Sequence, residues 1–145
     1  MKEKSPLKSK SAWNQSTETG IRQFQTEIEA WKQLLNSRME ENVLLKNEIS
    51  DILKNNYDQN LLEEIEGFQT QFIREDELIH LLRSDASDIE NVLYSKISDS
   101  GKIEKLLDTK IENLRKDMAN STIRFRILKS AFNDFQQRIS NGRDR

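Results

Sequence analysis

Between Leu107 and Ile139 the chain reads LDTKIENLRKDMANSTIRFRILKSAFNDFQQRI, with apolar residues at Leu107, Ile111, Leu114, Met118, Phe125, Leu128, Phe132, Phe135 and Ile139. The steps alternate between four and three, and Ser121 is the one polar interruption of the series. This spacing lines up the apolar side chains along one stripe of a helix, and so long a stripe requires partner helices to cover it.

Two earlier stretches carry the same repeat. The first runs through Ile21, Phe24, Ile28, Trp31, Leu35, Leu45, Ile49 and Ile52, interrupted at Arg38 and Asn42. The second runs through Leu61, Ile65, Phe68, Phe72, Ile79, Leu82, Ala86, Ile89 and Leu93, interrupted at Glu75. Turn-forming residues separate them: Asn55-Asn56-Tyr57-Asp58 after the first, and Ser98-Asp99-Ser100-Gly101 after the second. Thr17 is the expected N-cap of the first helix, and Asn60 with Glu63 resembles a capping box that starts the second. Helices joined by such short connections lie antiparallel.

The expected fold is therefore all-α, an elongated, antiparallel, coiled-coil-like three-helix bundle. Its helices are placed at 18–55, 60–97 and 102–140, within a bundle over 18–141, and each is about 57 Å long at 1.5 Å per residue. Residues 1–17, rich in Lys and Ser and without a sustained period, are expected to be a flexible, disordered basic arm. Trp13 is the large aromatic within that arm, and residues 142–145 read as a C-terminal tail.

Composition agrees with long helices. Among 145 residues 34% are hydrophobic and 33% charged, with four Gly and one Pro, which suits narrow apolar stripes and disfavours a sheet. The absence of Cys excludes disulfides, thiolate metal sites and Cys nucleophiles. No apolar run approaches the roughly 18 residues of a membrane span, and the first twenty residues lack the apolar block of a secretory signal. A cytoplasmic protein with no membrane contact is expected. Charge is segregated, with eleven acidic against three basic residues in 57–99 and eleven basic against six acidic in 100–145. Opposite charge on successive helices favours their pairing with each other.

Register follows from the turns. Folding the first two helices back near residue 57 sets Leu45 against Phe68, Trp31 against Leu82, Phe24 against Ile89 and Arg38 against Glu75. The second turn brings Ser121 to Arg124 to the same level. Arg38, Asn42, Glu75 and Ser121, with Arg124 at the flank, thus form one expected polar layer in which Arg38 and Glu75 can pair bidentately. Burying charge is costly, so the first reading of the layer is a device that penalises slipped registers, and the second is a small ligand site between helices.

Catalytic chemistry finds little support. His80 is the one histidine, and Glu77-x-x-His80 matches half of a di-iron bundle motif but lacks its second copy and lies on the outer face. No metal or cofactor is expected. Without a Gly-rich phosphate loop or a base and nucleophile that spacing can join, the chain does not read as an enzyme. Phe68, Phe72, Phe125, Phe132 and Phe135 read as packed core near the first turn. Apolar residues outside the seams, Leu44, Ile73, Leu81 and Ile123, form a candidate interaction patch. The function expected from these features is a non-enzymatic protein–protein interaction or assembly module, a scaffold whose partner is another protein or a second copy. The alternatives are a ligand-binding helical sensor built on the polar layer, and an accessory nucleic-acid binder using the basic third helix. A sequence pI near 5.6 weighs against the last.

Overall fold

A computed structural model describes residues 17–55, 58–94 and 101–143. Three helices make up these residues: α1 (Thr17–Asn55), α2 (Gln59–Tyr94) and α3 (Gly101–Arg143). They form the expected all-α three-helix bundle, with no strand among the described residues. The arm with Trp13, and residues 95–97 assigned to the end of the second helix, lie outside the described residues. Thr17, expected as the cap, is the first residue of α1, and α3 continues through Gly142 to Arg143 where a tail was expected.

The second helix is capped by Asp58, not by Asn60. Asp58 Oδ1 accepts hydrogen bonds from the backbone N–H groups of Asn60 at 2.9 Å and Leu61 at 3.3 Å, while its carbonyl accepts from the Leu62 N–H at 2.9 Å. These satisfy donors that have no partner within the helix, which is what an N-cap does. Asn60 has the right chemistry but stands inside the helix, where its own N–H is one of those donors.

Cross-helix bonds fix direction and register. Glu27–Arg115, Glu41–Lys129 and Glu48–Gln136 each link α1 to α3 across a constant 88 residues, so these two helices run parallel. Between α1 and α2 the partner numbers move in opposite senses, from Lys32–Glu90 to Asn42–Asp76 and Lys46–Asp76, so that pair is antiparallel. Glu64–Arg138 and Glu75–Arg124 show the same opposition between α2 and α3. Most of these flanking pairs are substantially exposed and, at about 0 to 1 kcal/mol each, they select the alignment more than they stabilise it.

Burial follows the heptad. The residues removed from water on α3 are Leu107, Ile111, Leu114, Met118, Ser121, Phe125, Leu128, Phe132 and Phe135, the seam read from the sequence up to its last member, Ile139, which is only partly buried. The buried apolar residues do not form one continuous core. One cluster joins Ile28 and Leu35 to Ile79, Leu82, Ile89 and Leu93 of α2 and to Leu107 through Met118 of α3. The other joins Ile49, Ile65 and Phe72 to Phe125, Leu128, Phe132 and Phe135. Phe68 meets Phe132 and Phe135 with ring centroids 5.2 Å apart, and Phe72 meets Phe132 edge-on at 5.5 Å, arrangements that favour the aromatic quadrupoles. Four of the five phenylalanines are buried core, and Phe68 is partly buried against them.

Candidate functional site

What separates the two apolar clusters is the polar layer. Arg38, Asn42, Glu75 and Ser121 are the buried polar residues among those described, and all stand at seam positions midway along their helices. Each replaces an apolar residue in its helix's repeat, so helix geometry alone carries it inward.

The bonding within the layer differs from the expected Arg38–Glu75 pair. Arg38 crosses to α3, where Nη1 donates to Ser121 Oγ at 2.6 Å and Nη2 to Thr122 Oγ1 at 2.9 Å. Thr122 Oγ1 in turn donates to the Met118 carbonyl at 3.0 Å. The guanidinium also lies 5.6 Å from the centre of the Phe125 ring, within cation–π range. Glu75 instead accepts at 2.8 Å from Nε of Arg124. The side chain of Arg124 is 43% exposed against 4% for Glu75. A half-exposed partner keeps part of its hydration, so this pair costs less desolvation than two fully buried charges would.

On α1 it is Asn42, not Arg38, that lies against the turn of α2 carrying Glu75. Asn42 Nδ2 donates to the Phe72 carbonyl at 2.9 Å and to Asp76 Oδ1 at 2.6 Å, straddling that turn. Asp76 also pairs with Lys46. Arg38 remains close enough to Glu75 for the carboxylate to favour its charged form, but burial outweighs this and Arg124 adds repulsion, so the Arg38 pKa is lowered from its usual value. The group stays charged at any ordinary pH.

Thr122 and Asp76 belong to the network and were not singled out in the sequence. Each follows a seam residue and occupies the flank, and the signal that finds them is a hydrogen-bonding side chain one step beyond an interrupted seam position. Elsewhere, Arg115 joins Glu27 to Glu112, and the hydrogen bonding it donates to the Glu27 carboxylate is the main reason its pKa is raised.

The four residues of the candidate patch are all exposed, at Leu44, Ile73, Leu81 and Ile123, but they stand on three helices and make no single face. Leu34, Val43 and Ile127 are exposed as well, Ile127 at 64%. Leu34 sits beside seam residue Leu35, Val43 beside seam residue Asn42, and Ile127 follows Ile123 by one turn, so they occupy outer positions like the other four. His80 and Glu77 are exposed on the outer face of α2, and among the described residues no group of three or more His, Cys, Asp or Glu is placed to hold a metal ion. No helix among them is long and apolar enough to cross a membrane.

A cleft of about 270 Å³ opens between α2 and α3, lined by Asp85, Asp88, Ile89, Lys110, Asn113, Leu114 and Asp117. Partial burial, with Asp117 and Asp88 adding repulsion against the pull of Lys110, raises the Asp85 pKa. The arrangement holds three carboxylates near one lysine and is not matched to any anion. No protein family matches the chain, and no curated protein or solved structure is significantly similar to it.

Two outcomes follow for these groups. Replacing Arg38 with Ala removes the donor to both hydroxyls and the positive charge facing Glu75, and is expected to cost about 3 kcal/mol in urea unfolding. Arg38→Lys should recover little of it, because an ammonium lacks the fork that reaches two acceptors. At Asp85 the folded chain holds its proton more tightly than the unfolded chain, so stability falls as pH rises above the ordinary value of 3.8. Asp85→Asn should therefore melt higher than the parent at neutral pH, with the difference closing as pH drops below that value.

Proposed function

We propose that the chain is a non-enzymatic protein–protein interaction or assembly module, a cytoplasmic coiled-coil scaffold that works by presenting its outer helical surface. The observation that carries this reading is the placement of the exposed large apolar residues. Leu34 lies four residues before Arg38, and Val43 and Leu44 lie five and six after it. Ile73 and Leu81 lie two before and six after Glu75, and Ile123 and Ile127 lie two and six after Ser121. All seven such residues among the described ones thus fall within about 9 Å of the layer along the bundle axis.

Around its middle the bundle is polar within, and each helix there carries exposed apolar residues among charged ones such as Glu40, Arg74 and Arg126. Ile123 and Ile127 stand one turn apart on α3. Val43 and Ile73 each lie one residue beyond the Asn42–Phe72 bond on their helices, and both are exposed. Exposed apolar groups lower the free energy on being covered, by about 25 cal/mol per Å² removed from water.

The pairing of basic residues supports a protein partner over nucleic acid. Arg115, Arg124, Lys129 and Arg138 of α3 are each held by a carboxylate of α1 or α2. Nucleic acid binding draws on uncompensated positive charge, and these four are compensated within the bundle.

The test combines association with surface substitution. The intact chain should either self-associate in sedimentation or retain a reproducible protein partner. Ile123→Lys with Ile127→Lys, or Val43→Lys with Ile73→Lys, should abolish that association while helicity and unfolding midpoint stay within the small range of surface changes, about 0.5 kcal/mol. A chain that stays monomeric and retains nothing, or an association indifferent to both pairs of substitutions, contradicts the reading.

A further inference from the structure

Two oxygens in the polar layer accept no hydrogen bond from the protein. Asn42 Oδ1 and Glu75 Oε1 are both out of contact with solvent and without a partner, on residues only 0% and 3% exposed. Turning the Asn42 amide over does not help, because Nδ2 already donates to two acceptors and the reversed amide would point its oxygen at the Phe72 carbonyl and Asp76. Exchanging the Glu75 oxygens at Arg124 would leave the other one in the same position. Buried acceptors of this kind are costly, and native interiors satisfy almost all of them.

Both acceptors belong to one small region, since the Asn42 amide rests on the turn from Phe72 to Asp76 and Glu75 projects from that turn. We infer that this region is a binding site for one internal water molecule, which donates one hydrogen to Asn42 Oδ1 and the other to Glu75 Oε1.

The chemistry of the layer selects water over other ligands. A cation would join Arg38 and Arg124, which already set two positive charges around the single carboxylate of Glu75. A divalent metal takes six or more oxygen ligands, and the layer has two uncommitted ones. A water has two hydrogens for two acceptors, and its oxygen can receive a third bond from Arg38, whose five N–H groups exceed its two hydrogen bonds. Three bonds is the usual complement of a buried water. With that water in place every buried polar atom of the layer has a partner, and the layer becomes a closed network.

The site stands apart from the outer surface assigned to partner binding, and its test does not depend on any partner. A crystal structure of the full chain, at a resolution that orders solvent, should show a water oxygen within about 3.2 Å of both Asn42 Oδ1 and Glu75 Oε1. Crystals soaked in a rubidium salt should give no anomalous peak there. No solvent density between the two oxygens, a protein donor turned onto either of them, or a rubidium peak at that position would each overturn the assignment.

Discussion

When the three helices close, the guanidinium of Arg38 must leave bulk water, and nothing in an apolar seam can receive it. It is accommodated only where α3 offers two hydroxyls side by side, Ser121 and Thr122, with the face of Phe125 beneath them. The rest of the arrangement depends on this constraint. Sliding α3 by one heptad would set the guanidinium against Leu114 or Leu128, and sliding α2 would set the Glu75 carboxylate against apolar residues of its neighbours. An apolar seam is tolerant of such slips, because one aliphatic layer resembles the next, whereas a charge facing a leucine is not tolerated.

The layer therefore divides the interior into two apolar clusters of different character. On the side of the first turn the core is aromatic, with Phe68 and Phe72 packed edge to face with Phe132, and Phe135 stacked on Phe132. On the other side it is largely aliphatic, built from Ile, Leu and Met. Each supplies a driving force for association of the helices, but neither by itself specifies their alignment. Flanking ion pairs repeat at regular intervals and favour the same register. Being exposed, they add little to stability, and the buried layer is the feature that distinguishes one alignment from another.

Much of this was legible in the sequence because helix geometry is periodic. The seam from Leu107 to Ile139, the two seams before it, and the common level of Arg38, Glu75 and Ser121 all follow from counting residues between interruptions. The pairing inside the layer was not legible. Spacing sets the height and angle of a side chain on its helix, but not which of two neighbours a long guanidinium turns toward, and here it turns to α3 while Glu75 turns to the half-exposed Arg124. The start of α2 shows the same limit: Asp58 and Asn60 are both competent caps, and the choice rests on which N–H groups the first turn leaves without partners. On the surface, Leu44, Ile73, Leu81 and Ile123 were visible as outer positions. That they share the level of the layer emerged only once Leu34, Val43 and Ile127 were placed beside them.

The polar layer, and not the apolar seams, fixes the alignment of the helices. The chain contains no cysteine, so spin labels can be attached at two introduced ones, Ser37→Cys on α1 and Ser84→Cys on α2, both at exposed positions. Electron–electron distance measurements on this pair should give one narrow distribution when the layer is intact. With Arg38→Leu, Asn42→Leu, Glu75→Leu and Ser121→Ala introduced together, the bundle should stay helical and at least as stable, yet acquire further populations displaced by one heptad, about 10 Å. A layerless chain that keeps the single narrow distribution of its parent would contradict the account.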